Sequence, residues 1–180
     1  MKKLTLLRHA KSSWDDAVTR DFDRPLNDKG KRAAAAIGAF IKRNDIVFDQ
    51  VLASPAVRVI ETLEHVEQAS GLSMEPRWDR KIYLASSVTL LDVIRGASED
   101  ADHVLMVGHN PGMEDLIFDL VPDDGSSTAR DEVEVKYPTA ALAEISLNIE
   151  NWADIADNCG TLDRFTRPRD LDSELGPDYV

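Results

Sequence analysis

Several residue patterns that would mark a common design are missing from this chain. Cys159 is the only cysteine in 180 residues. No disulfide can form within the chain, which fits a reducing compartment. Long apolar runs are missing too, and nothing approaches the ~18 residues of a membrane span. Met1-Lys2-Lys3 followed by Leu4-Thr5-Leu6-Leu7 begins like a secretory signal, but Arg8 ends the run after four residues, too few for the apolar core of such a signal. A cytoplasmic protein without a membrane partner is therefore expected. There are four histidines, and none stands in a His-Glu-x-x-His arrangement. A metallohydrolase would lack its ligand set, so no metal is expected. No Gly-x4-Gly-Lys-Ser/Thr loop occurs, and Cys159 and Arg164 do not have the spacing or flanks of a cysteine-phosphatase loop.

Positive charge is in short supply overall and unevenly placed. The formal net charge is -12, which argues against a general nucleic-acid binder. Residues 1–43 nevertheless hold eleven Lys/Arg against five Asp/Glu, a local balance of +6, leaving -18 for the rest. A basic site in an acidic protein attracts a phosphate while the whole repels polyanions. A solvated helix face gives the same count, so the charge alone decides nothing.

What is present is a strand–helix alternation. Leu4 to Leu7, Val51 to Ala53 and His103 to Val107 read as buried strands, with a further strand over Met74 to Trp78. Helices are expected after Asn27 or Asp28, after Pro55, after Ser86 or Ser87 and from Pro111-Gly112, with Gly71 as a stop and Gly30 and Gly38 as weak points. Ala140 to Ile149 reads as an antiparallel strand that Trp152 to Ile155 could join, and the tail 164–180 as irregular. The pattern predicts one domain over 1–180, a three-layer α/β/α sandwich with a mostly parallel sheet and an antiparallel edge.

Strand ends carry the chemistry. Arg8-His9 follows the first strand, Ser54-Pro55-Ala56-Val57-Arg58 the second, and His109-Asn110-Pro111 the run ending at Gly108. In an open α/β sheet ligands bind at the carboxyl ends of strands. Two guanidinium forks match the oxygens of a phosphoryl dianion. Two histidines suit phosphoryl transfer, one as nucleophile and one, protonated, as a stabiliser of developing charge. The nucleophile needs one bare nitrogen, so a carbonyl should hold the other. Taken singly, each of these residues has an ordinary structural explanation, and their joint placement is what counts. Ser54 and Thr139 fall near strand ends, where their hydroxyls could touch phosphate, orient His109 or merely cap backbone. His65 and His103 lack such a setting and read as structural.

Leu7-Arg8-His9-Ala10-Lys11-Ser12, Ser54 to Arg58 with Glu61-Thr62, and Val107 to Pro111 together resemble the histidine phosphatase superfamily, also called phosphoglycerate-mutase-like. The resemblance covers about residues 1–150. The Arg8-to-Ser12 form, the short chain and Tyr137-Pro138-Thr139-Ala140 resemble its SixA-type phosphohistidine phosphatase branch. It implies a transiently phosphorylated His9, a phosphate pocket of Arg8, Arg58 and His109 with Asn110 beside them, no metal or organic cofactor, and a phosphorylated histidine-containing protein of two-component signalling as substrate.

Two departures bear on that expectation. Ala10 stands where most of the superfamily has glycine, which is harmless if no positive φ is needed there. Leu84 stands where many relatives carry a glutamate, and leucine donates no proton. An alkoxide leaving group needs that proton more than phosphohistidine does, unless Asp15, Asp16 or another acid of the first loop supplies it. No long insertion offers a lid, and an open site suits a histidine on a protein surface. A phosphatase or mutase of small metabolites and a non-catalytic phosphohistidine-binding protein are the alternatives.

Overall fold

The computed structural model describes residues 1–14 and 20–177. Its centre is a six-stranded mixed sheet of order β3-β2-β4-β1-β5-β6. β1 (Lys2–Arg8), β4 (His103–Gly108), β2 (Gln50–Ala53) and β3 (Arg77–Trp78) run parallel, while β5 (Leu142–Leu147) and β6 (Gly160–Thr166) form the antiparallel edge.

Side-chain alternation assigns the two faces. Leu4 and Leu6 of β1 join Val104 and Met106 of β4 in one cluster, with α3 (Ser87–Arg95), α4 (Gly112–Leu120) and α5 (Thr128–Val135). Leu7 joins Leu105 and Val107 in the other, under α1 (Asp28–Arg43) and α2 (Val57–Ser70). Both faces of the central strands are covered, which is why those strands read as continuous apolar runs rather than as alternations.

Capping follows the expected chemistry. Asn27 caps α1 by accepting from Gly30 N, and Ser86 caps α3 by accepting from Thr89 N. Gly71 ends α2 in the left-handed region, at φ 75°. Gly30 and Gly38 are the places where α1 is approached most closely. A Cβ on Gly30 would lie 2.1 Å from the Lys11 carbonyl oxygen, and one on Gly38 would lie 2.7 Å from that of Val66.

The C-terminal third differs from expectation. Trp152–Asp154 is a 3-10 turn, not a strand, because the Trp152 ring plugs the core and donates Nε1–H to the Ala101 carbonyl. The partner of β5 is instead Gly160–Thr166, with a register shift at Glu144/Ile145 opposite Asp163. The shift puts Leu162 and Phe165 on core positions three residues apart, which hides the period of two. The tail is therefore not irregular from Arg164. It completes β6, forms α6 (Pro168–Leu171) and a 3-10 turn at Ser173–Leu175, and packs on α1. The expected strand from Met74 shrinks to Arg77–Trp78. Among the described residues no helix is long and apolar enough to cross a membrane.

Candidate active site

Backbone bonds bring three strand ends together. His9 N donates to the Gly108 carbonyl and Ser54 N to that of Val107. Ala140 N, at the turn before β5, donates to the carbonyls of Arg8 and His9. The result is one cavity of about 660 Å3 lined by Arg8, His9, Arg58, His109, Asn110 and Thr139. The imidazole centroids of His9 and His109 are 5.3 Å apart.

His9 is buried, and its Nδ1 lies 2.7 Å from the Ala10 carbonyl oxygen. A carbonyl only accepts, so Nδ1 carries the proton and Nε2 keeps its lone pair in the neutral ring. Burial pushes the pKa of His9 down to about 3, helped by the charges of Arg58, Arg8 and Arg24. Ala10 is absent from the positive-φ positions, so its methyl group is accommodated. Its N–H donates to Thr62 Oγ1, which in turn donates to the Arg58 carbonyl, tying the loop after β1 to α2. Glu61 accepts from Leu26 N at the far end of that loop.

The two arginines are held differently. Arg8 donates Nη1–H to the Tyr137 carbonyl, which also accepts from Asn110 Nδ2. Arg58 is almost fully buried. It donates Nη1–H to the backbone carbonyl of Asp21 (2.7 Å) and Nη2–H to Asp21 Oδ2 (3.0 Å). The Nε groups of both arginines are buried without an acceptor. Each guanidinium thus keeps donor capacity, and two such cations at one cavity favour an anion.

His109 differs from expectation. Arg58 Nη2 lies 3.3 Å from His109 Nδ1, and Ser54 Oγ lies 2.8 Å from Nε2. A guanidinium only donates, so Nδ1 accepts and Nε2–H donates to Ser54. Burial, the neighbouring His9 ring and the cation Arg58 together lower the pKa of His109 to about 3, against the pull of Asp21. This environment favours a neutral His109, not the protonated ring expected from the sequence. Ser54 is fully buried behind His109 and is not among the residues lining the cavity. Its hydroxyl faces the His109 ring and accepts from Ala56 N, the orienting role of the two expected for it. Thr139 lines the cavity, and Asn110 also accepts from Glu114 N at the start of α4.

Several residues escaped the sequence reading. Asp21 is a hub: Oδ1 accepts from Arg24, and Oδ2 from Arg58 and the Tyr83 hydroxyl. Burial opposes its charge, but the bonds from Tyr83 and Arg24 and the cation Arg58 outweigh that and hold its carboxyl at about 2. Arg24 is buried, bonds Ser12 Oγ and stacks on the exposed Trp14 ring at 3.5 Å. Arg167 and Arg169 bring the tail to the cavity wall. The available signal was position: Ser12, Asp21 and Arg24 follow the carboxyl end of β1 in the chain. Asp15 and Asp16 lie outside the described residues. Leu84 lines the cavity, half exposed, at φ 50°. His65 bonds its own helix through the Glu61 carbonyl, and His103 bonds Thr5 Oγ1, both away from the cavity. Among the described residues no three His, Cys, Asp or Glu side chains group as a metal site requires.

Comparison with known proteins agrees with this geometry. The sequence model of the histidine phosphatase superfamily (branch 1) matches residues 4–79. The uncharacterized protein Rv1276c of Mycobacterium tuberculosis is 32% identical over 164 residues, 91% of this chain and 100% of the relative. Among solved structures, a candidate phosphohistidine phosphatase SixA from Nakamurella multipartitia superposes with a TM-score of 0.77 at 32% identity, covering 93% of this chain and 96% of that one. A second candidate SixA, from Agrobacterium tumefaciens, gives 0.77 at 28% identity over 93% and 98%. With the paired strand-end histidines and arginines in place, the chain belongs to the histidine phosphatase superfamily, in its SixA-type branch.

Proposed function

We propose that this phosphatase hydrolyses phosphohistidine on a protein through a phospho-His9 intermediate. The observation that carries the reading is the state of the only carboxylate lining the cavity among the described residues. Asp21 is held ionised by Tyr83, Arg24 and Arg58, and Leu84 stands where an acid would serve a poor leaving group. Among the described residues, an alkoxide released at such a site meets no carboxylic acid to protonate it. Phosphohistidine needs none from the protein, because its imidazole has a second basic nitrogen that water can protonate before the P–N bond breaks.

In the first step His9 Nε2 attacks phosphorus while the P–N bond of the substrate breaks and a neutral imidazole leaves. Arg8 and Arg58 hold the equatorial oxygens, and His109, its Nε2–H bonded to Ser54, lines the cavity beside them. Water then attacks phospho-His9, releasing orthophosphate and restoring the ring. No step calls on a metal or organic cofactor. Branch membership suggests a phosphotransfer protein of two-component signalling as the partner class, in the cytoplasm, with neither nucleic acid nor membrane as a ligand.

A phosphatase of small phosphorylated metabolites is the second reading. The tail favours it, since Arg167 to Pro177 add a wall to the cavity. The test is turnover of a phosphohistidine protein against a panel of phosphomonoesters, with His9→Ala beside the native protein. Preferential, His9-dependent loss of phosphohistidine is expected. Faster monoester turnover overturns the proposal. Phosphate binding with no turnover of either points to a phosphohistidine-binding protein.

A further inference from the structure

The cavity is much larger than the group it is proposed to process. A phosphoryl group displaces about 100 Å3, roughly the bulk of three waters at ~30 Å3 each, against a cavity of about 660 Å3. The surplus is bounded by cations outside the catalytic four. Lys29 Nζ donates to the Gly176 carbonyl, and Arg167 is clamped by Asp170. Lys29, and the approach of Arg167 to Glu132 of α5 (4.0 Å), hold the tail against the body. Lys136, just after α5, and Arg169, on α6, line the same cavity, are exposed, and have no carboxylate within ion-pair distance among the described residues. Asp21, the one carboxylate of the lining among the described residues, is occupied by its own arginines.

We propose that Lys136 and Arg169 form a shelf that binds carboxylate side chains flanking the phosphohistidine on the substrate protein. This rests on the phosphohistidine reading and narrows it to an acidic surface. Both cations are exposed at the rim rather than sunk in the cavity. They therefore meet a surface laid across the mouth, not a second anion buried at depth. Two unpaired cations offer local attraction within a Debye length of about 8 Å at physiological salt. At that range the net charge of -12 spread over the molecule is largely screened. Acidic flanks thus gain from the shelf without meeting the repulsion of the whole protein.

The test uses two phosphohistidine peptides, one with Asp and Glu beside the phosphohistidine and one with Asn and Gln at the same places, together with phosphoramidate. The readout is the ratio of kcat/KM for the acidic over the neutral peptide. The native protein is expected to favour the acidic peptide about 5- to 30-fold at low salt, with the preference shrinking as salt rises. K136Q/R169Q should bring the ratio close to one, and K136E/R169E should invert it. Equal ratios in native and variant proteins, or no preference in the native protein while it still turns over phosphoramidate, overturn the shelf and leave the phosphatase reading standing. No His9-dependent turnover of phosphoramidate or of either peptide overturns both. If instead the variants lose turnover of a small bisphosphate more than of the acidic peptide, the shelf serves a metabolite and the proposal fails. Both side chains are exposed, so the variants should fold, and an unchanged Tm checks this.

Discussion

Arg58 Nη2 lies 3.0 Å from Asp21 Oδ2, and Arg58 Nη1 lies 2.7 Å from the backbone carbonyl of the same residue. The buried cation proposed to hold phosphate is therefore already paired with the only carboxylate of the cavity lining among the described residues. Any incoming anion shares Arg58 with Asp21. Asp21→Asn removes that negative charge while keeping the shape and the backbone carbonyl. Phosphate or tungstate should then bind tighter, by about 3- to 10-fold, since Asp21 is partly exposed and its charge partly screened. Arg24 and Tyr83 lose an ionic partner, so Tm should fall by a few degrees. Titration calorimetry with tungstate decides the point. Weaker binding would mean that Asp21 chiefly holds the Arg58 fork in place.

Much of this arrangement was legible beforehand. Arg8-His9 and His109 close buried strands, and parallel strands deliver their ends to one edge of the sheet, so those residues had to meet. Asp21 and Arg24 were not legible, because their roles depend on a loop folding back on itself. Ser12 pairs with Leu26 as an isolated bridge, and Asn27 N bonds the Lys11 carbonyl. Such bonds leave no periodic trace. The tail was missed for another reason: the shift opposite Asp163 breaks the alternation that marks a strand. The protonation of His109 depends on burial and on the direction of two bonds, which a sequence does not display.

The two histidines make stability depend on pH. Both have an ordinary pKa of 6.5 and a folded value of about 3, burial being the main cause. As pH falls below 6.5 the unfolded chain takes up protons that the native rings refuse. Their contribution to stability is thus fully present above 6.5 and is lost as pH falls toward 3, by at most about 1.4 kcal/mol per pH unit for each ring. His103, shifted the same way, adds to the slope. The carboxyl of Asp21 acts only at lower pH, between 3.8 and about 2. Denaturant unfolding at pH 7, 6, 5 and 4 should show this loss. His9→Gln and His109→Gln should each flatten the profile, and an unchanged profile would show that the rings are not neutral in the fold.

Ser54 should act through His109. Ser54→Ala removes the acceptor of the buried Nε2–H, at a cost of about 1–3 kcal/mol of stability. It also frees the ring to reorient. A fall in kcat of about tenfold, with KM for phosphoramidate nearly constant, is expected. Recovery in Ser54→Thr, which keeps the hydroxyl, separates positioning from simple loss of packing. If KM rises and kcat holds, the hydroxyl contacts phosphate after all.

Thr62 should matter to His9 although it lies one element away. Its hydroxyl donates to the Arg58 carbonyl and accepts from Ala10 N, and the Ala10 carbonyl holds His9 Nδ1. Thr62→Val is near in shape but leaves the buried Ala10 N–H without a partner, costing about 1–3 kcal/mol. The peptide that fixes the His9 ring is then free to rotate. Phosphorylation of His9 in a single turnover with phosphoramidate should slow, while the affinity for tungstate, set by the arginines, should change much less. Thr62→Ser restores both bonds and should recover the rate. Equal losses of rate and tungstate affinity would instead mean that the whole pocket had shifted with α2.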